Sequence, residues 1–150
     1  MTNRRINVRG IIFKDGKLFC QKLKPDLRGV ERDFWCTPGG GLDENEPLEQ
    51  GLTREIVEET GIIPHIGRLL FIQQFYDGRV ENIEFFFHIE NASDFEKIDL
   101  NKTSHGTLEI KECKFVDPKT ADILPKFLKV IDIESYIEYT RPVYFHTELK

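Results

Sequence analysis

One stretch restricts the possible folds of this chain more than any other. From Pro47 to Thr60 there is no proline after the first residue, and Leu48, Leu52 and Ile56 recur every four positions. This pattern predicts an α-helix that Pro47 can open, where its missing N–H is not needed, and that Gly61 can close as a C-cap. On that helix Glu55, Glu58 and Glu59 stand at i,i+3 and i,i+4 spacings, so they share a face about 100° wide. The apolar stripe borders this acidic face, whereas an ordinary solvated face would lie opposite the core. Like charges so spaced destabilise a helix by about 0.2–0.5 kcal/mol per pair, and they sit near the end where the macrodipole prefers cations. A helix that breaks both rules is shaped by function. The natural compensation is a divalent cation, Mg²⁺ or Mn²⁺, both of which favour hard oxygen ligands.

The flanks point the same way. Pro38-Gly39-Gly40-Gly41 lets backbone atoms approach a ligand or metal without an intervening Cβ. Arg54 is i,i+4 from Glu58 and can hold that carboxylate in place. Gly51 inside the helix costs about 1 kcal/mol relative to alanine and reads as a close-packing position beside the carboxylates. The chain carries a formal charge of −5, and residues 40–62 hold seven acids and one base, a net of −6. The remainder is therefore near +1. There is no basic patch for bulk nucleic-acid binding.

The rest of the sequence predicts strands on either side of this helix. Ile6 to Phe13 and Leu18 to Leu23 flank a Lys14-Asp15-Gly16-Lys17 hairpin turn. Lys24 to Asp33 reads as a loop and Phe34 to Thr37 as a short strand. Arg68 to Tyr76 and Val80 to Ile89 read as strands around the Asp77-Gly78 turn. Phe86, opposite Phe85, Phe87 and Ile89, places cover on both sides of the second of these. Thr107 to Val116 is a further expected strand after a polar loop. Pro118 to Ile123 and Leu124 to Glu134 read as helical, and the aromatic tail from Tyr136 to Phe145 as irregular. At 150 residues the whole reads as one domain, 1–150, with a mixed sheet packed against helices. Three cysteines without paired spacing, and no apolar run suited to export or membrane spanning, give a reduced cytoplasmic protein as the expectation.

Gly40 to Ile62 resembles the box of the Nudix hydrolase family, G-x5-E-x7-R-E-U-x-E-E-x-G-U with U aliphatic, at all nine defined positions. Trp35-Cys36-Thr37-Pro38-Gly39-Gly40 is similar to the W-x-x-P-G-G lead-in of MutT-type members. The resemblance implies an α/β/α sandwich around a mixed sheet, of α/β (α+β) class. It also implies metal-dependent hydrolysis of a nucleoside diphosphate linked to another moiety. By the same resemblance Glu58, Glu59 and Glu55, with the Gly40 carbonyl, are expected to hold Mg²⁺ or Mn²⁺. Glu55 is the expected ligand or general base, and Arg54 and Glu46 are the expected orienting residues. A further base from outside the box would fall to Glu109 or Glu112, both expected on the late strand.

For the substrate, Trp35 and Gly39 are expected contacts, with Phe34, Phe75 and Tyr76 as further stacking candidates. The lead-in tilts the expectation to nucleoside triphosphates. The alternatives are ADP-ribose or a nucleotide sugar, or a Nudix-fold domain that binds a nucleotide without cleaving it. The expected partner is a nucleotide-type small molecule, with no membrane and no bulk nucleic acid, in a monomer or homodimer.

Overall fold

A computed structural model describes residues 3–150. Strand β1 (Arg4–Ile11) runs parallel to β7 (Glu81–Ile89) and antiparallel to β5 (Gly39–Gly41). Beyond β7 lie β6 (Ile66–Tyr76), antiparallel, and then β10 (Tyr144–Thr147), parallel to β6. The first sheet thus has the order β10-β6-β7-β1-β5. The second sheet follows from the hairpin β2 (Phe13–Lys14) and β3 (Lys17–Leu23), whose turn holds Asp15 and Gly16 at φ 52° and 78°. There β3 pairs with β4 (Trp35–Cys36) on one edge and β8 (Ile110–Val116) on the other, and β9 (Ile123–Leu124) extends β4 in parallel.

Both sides of these sheets are covered. Helix α1 (Leu48–Thr60) buries Leu52 and Ile56 against Val8, Ile12, Phe87 and Ile89. On the other side, a 3₁₀ turn (Lys126–Lys129) and helix α3 (Ile133–Glu138) bring Phe127, Leu128 and Ile133 against Ile11, Phe71 and Phe86. The neighbours Phe86 and Phe87 therefore serve opposite cores, as their alternation requires. The result is an α+β sandwich of mixed sheets between helices. Among the described residues no helix is long and apolar enough to cross a membrane.

Three expectations need correction. The strand expected from Thr107 begins only at Ile110, because Gly106–Glu109 forms a helical turn, α2. Thr103 Oγ1 accepts the Gly106 N–H at 2.8 Å, and the His105 carbonyl accepts from Leu108 and Glu109. The helical stretch expected over 118–134 is instead a turn, the short β9, the 3₁₀ turn and the start of α3. Pro125 disfavours helical backbone at Leu124, and Asp132 restarts the helix by accepting the Ser135 N–H at 3.4 Å. The tail is ordered too, since Tyr144 sits among Phe71, Phe127 and Tyr136 and carries β10 onto the sheet.

Candidate active site

Helix α1 and strand β5 meet edge-on, and the box residues gather where they do. Gly39, Gly40 and Gly41 lie opposite Arg9, Val8 and Asn7 of β1. A Cβ on Gly40 would stand 2.7 Å from the Glu55 carboxylate, so any side chain here would displace Glu55. Gly51 is as tightly placed: its Cβ would collide with Leu42 and meet Glu46 at 2.8 Å.

Arg54 organises the acids. Its Nε and Nη2 donate to the two Glu46 oxygens at 2.8 and 2.9 Å, and Nη2 also reaches the Gly41 carbonyl at 3.2 Å. Nη1 donates to Glu55 at 3.1 Å and more distantly to Glu58 at 3.5 Å. The principal partner of Arg54 is thus Glu46, with the i,i+4 contact to Glu58 secondary. The Arg54 pair, helped by the Asp43 N–H, pulls the Glu46 carboxyl down to about 2. Glu55 moves the other way: burial lifts it above the usual range, Arg54 opposes, and Glu58 and Glu109 add to the rise. Glu109 reaches this point from α2, which packs on α1. Glu112, by contrast, faces outward on β8 and pairs with Lys114 at 3.5 Å.

Glu59 is 4% exposed. It accepts from Gln21 Nε2 at 2.9 Å and from the Gly39 N–H at 3.2 Å. Burial still pushes its carboxyl up to about 8, with the Gln21 bond and the Arg9 charge only partly opposing. Glu58 is held by His105, whose Nδ1 lies 3.2 Å from its carboxylate and whose N–H caps the Glu58 carbonyl at 2.9 Å. Among the described residues, no three acidic, histidine or cysteine side chains converge on one point. Glu55, Glu58 and Glu59 share the face expected of them, but Arg54, His105 and Gln21 draw each one elsewhere. A cation fits this donor set: the oxygens are hard, two carboxylates are buried beyond what their partners offset, and the absence of a Cβ at Gly40 lets the Glu55 carboxylate lie against the β5 backbone.

On the opposite face of β1 lies a cavity of about 610 Å³. Asn7 and Arg9 line it, so β1, paired with β5, presents one face to the cavity and the other to α1. Arg9 donates to Glu84 at 3.0 Å and to the Thr37 carbonyl at 3.3 Å, and its charge is felt at Glu59. Gln73, Asn82 and Glu84 complete a buried polar wall. Phe34 and Phe75 supply the aromatic lining. Trp35 does not: it is packed in the core, with the ammonium groups of Lys22 and Lys114 at 5.0 and 5.2 Å from its ring. Strand pleating sends Trp35 inward and its neighbours Phe34 and Cys36 to the cavity. Gly39 is not part of the cavity lining either, and its N–H is committed to Glu59. Sequence reasoning missed the polar wall, although part of its signal was present: Asn82 and Glu84 share the face of Phe86, which was already expected to be covered.

The chain is similar to known proteins in sequence and in fold. An ADP-ribose pyrophosphatase of Methanocaldococcus jannaschii is 32% identical over 108 residues, 64% of this chain and 62% of that protein. The match thus spans less than two thirds of that relative's length. The nucleoside triphosphatase NudI of Klebsiella pneumoniae is 34% identical over 137 residues, 72% of this chain and 96% of the relative. Among solved structures, the Escherichia coli ORF135 protein superposes with a TM-score of 0.68 at 18% identity, covering 94% of this chain and 95% of that one. A family model described as NUDIX domain matches residues 3–138, and the chain belongs to that family of hydrolases.

Proposed function

We propose that residues 1–150 act as one catalytic domain, a divalent-metal-dependent pyrophosphohydrolase for a nucleoside diphosphate linked to another moiety. Nucleoside triphosphates are its favoured substrates. The observation that carries this reading is the shared partition: a nucleotide-sized cavity and the acidic helix face lie on the two sides of β1 and β5. A nucleoside in the cavity would place its phosphates at the glycine strand, beside Glu55. The NudI relative's name supports a triphosphate, and the other relative's name supports ADP-ribose as the second reading.

In this reading Glu58, Glu59, Glu55 and the Gly40 carbonyl would hold Mg²⁺ or Mn²⁺. When bound there, the cation would supply neutralisation of phosphate charge and would make water a better nucleophile at neutral pH. Arg54, locked by Glu46, would set the resting positions of Glu55 and Glu58, which it holds at 3.1 and 3.5 Å and would release towards the cation. A water oxygen bonds to phosphorus as the bridging P–O bond breaks, and the water's proton passes to a carboxylate. Glu55, lifted by burial, is suited to take it, with Glu109 beside it as the alternative acceptor.

Product analysis on a panel of nucleoside triphosphates, ADP-ribose and nucleotide sugars, with Mg²⁺ and with EDTA, tests the reading. Turnover should appear with Mg²⁺ alone, and Glu58→Gln or Glu59→Gln should lower it by about 100-fold or more while the protein stays folded. Wild-type rates in both variants would remove the metal assignment. Binding of the panel without cleavage would leave a nucleotide-binding domain instead.

A further inference from the structure

The turn α2 brings two side chains to the carboxylate face of α1. His105 stands just before it and Glu109 ends it, and the Glu109 N–H donates to the His105 carbonyl at 3.1 Å. The charge of Glu109 is felt at Glu55, while His105 Nδ1 lies 3.2 Å from the Glu58 carboxylate. The backbone fixes this placement. The Glu58 carbonyl belongs to the last turn of α1, where such groups lack an intrahelical donor, and it accepts the His105 N–H at 2.9 Å. The imidazole is therefore anchored to the same residue whose carboxylate it meets.

The contact has two chemical uses. As a hydrogen-bond donor to ionised Glu58, Nδ1 must carry a proton; as a metal ligand it must not, and the neutral ring then keeps its proton on Nε2. The spacing suits the second use as well as the first. Two neighbouring ligands held about 2.1–2.2 Å from one octahedral ion stand about 3 Å apart. The His105 side chain is 42% exposed and that of Glu58 26%, so an ion can reach both. Arg54 lies 3.5 Å from the same Glu58 oxygen but has its closer partner in Glu46, and it can yield Glu58 to an ion. A nitrogen ligand matters for the choice of ion: Mg²⁺ is an oxygen binder, whereas imidazole suits later transition metals such as Ni²⁺.

We propose that His105 Nδ1 is a ligand of the cation that Glu58 takes, and that it tilts the site from Mg²⁺ towards transition metals. This rests on the metal reading above, which supplies the oxygen ligands. His105 lies outside the acidic helix, so the selectivity is set by the docking of α2 on α1.

Pulsed EPR of the untagged protein loaded with Mn²⁺ reads the ligands directly, because an imidazole nitrogen on the ion adds a nitrogen modulation that oxygen ligands lack. The wild type should show it and His105→Asn should not. Asparagine can place an amide N–H where Nδ1–H stands, and it suits the position before a helix, so it keeps the hydrogen bond to Glu58 while offering no lone pair on that nitrogen. Calorimetry should give a ratio of Ni²⁺ to Mg²⁺ affinity lower in His105→Asn than in the wild type by about tenfold or more, at least what loss of an outer-shell partner costs. A His105 that only hydrogen-bonds Glu58 would be replaced by asparagine without change in either readout. No nitrogen modulation in the wild type, modulation retained in His105→Asn, or an unmoved affinity ratio would each overturn the inference while leaving metal-dependent hydrolysis intact. The wild-type spectrum decides even where the variant fails to fold. A protein that binds none of these cations would overturn the proposed function and this inference with it.

Discussion

At the scale of single residues, the site is a set of charges whose partners are unequal. Glu46 and Arg54 form the best-matched pair, with two nitrogens on two oxygens and the Glu46 side chain only 8% exposed. Glu55 and Glu59 are held above their ordinary range by burial that their partners do not offset. The first arrangement supports the fold, and the second favours the protonated form of two carboxyl groups, which would shed protons on meeting a cation. The pair has a consequence for acid stability. Glu46 titrates near 2 in the folded chain against an ordinary 4.5, so its contribution is complete above 4.5 and is lost as pH falls towards 2. Glu46→Gln should therefore lower the melting temperature at pH 7 and flatten its decline between pH 4.5 and 2.5. Thermal unfolding across that range checks it, and parallel curves for the two proteins would count against the pair.

At the scale of elements, α1 was the most legible part of the sequence because periodicity, capping and charge spacing all pointed to one helix. Gly61 closes it in the left-handed conformation, φ 76°, with its N–H on the Val57 carbonyl. The C-terminal third was less legible, since its elements are short and tertiary. Gly106–Glu109 is one turn held by Thr103 and His105, and β10 exists only because β6 offers it an edge. That turn matters for the site: it moves Glu109 off the strand and towards Glu55. The cavity wall was not legible because Asn7, Gln73, Asn82 and Glu84 stand on three different strands, and only the pairing of those strands brings them together. Gly51 shows how tightly α1 is fitted. Alanine there would gain about 1 kcal/mol of helix propensity, but its Cβ would press on Leu42 and on the Glu46 carboxylate that Arg54 and the Asp43 N–H pin. Crowding of this kind costs about 1–3 kcal/mol. Gly51→Ala should therefore not stabilise the protein, and it should cut kcat several-fold by shifting Glu46 and with it Arg54. A more stable variant of unchanged kcat would show that Leu42 and Glu46 yield freely.

At the scale of the molecule, two cores lie on opposite sides of the sheets and only one of them carries α1. Leu52 and Ile56 tie the acidic helix to Val8, Ile12 and Ile89, whereas Phe71, Phe86, Phe127 and Tyr144 fill the far side. The family match ends at residue 138, before β10. The tail can therefore be separated from the carboxylate face. Removing residues 140–150 would strip Tyr144 from its aromatic neighbours, unpair the edge of β6 and take Glu148 from the cavity rim. Losing one large side chain from partial burial costs about 2 kcal/mol, and for a chain of this size that lowers the melting temperature by roughly 4–8 °C. Mg²⁺-dependent kcat should stay within a few-fold below the new transition, because Glu55, Glu58 and Glu59 rest on the other core. KM should rise, because the cavity has lost part of its rim. If kcat instead fell as far as in the Glu58→Gln or Glu59→Gln variants, with the truncated chain still folded, the two cores would be coupled. The far side would then have to be counted as part of the catalytic support rather than of the substrate cavity alone.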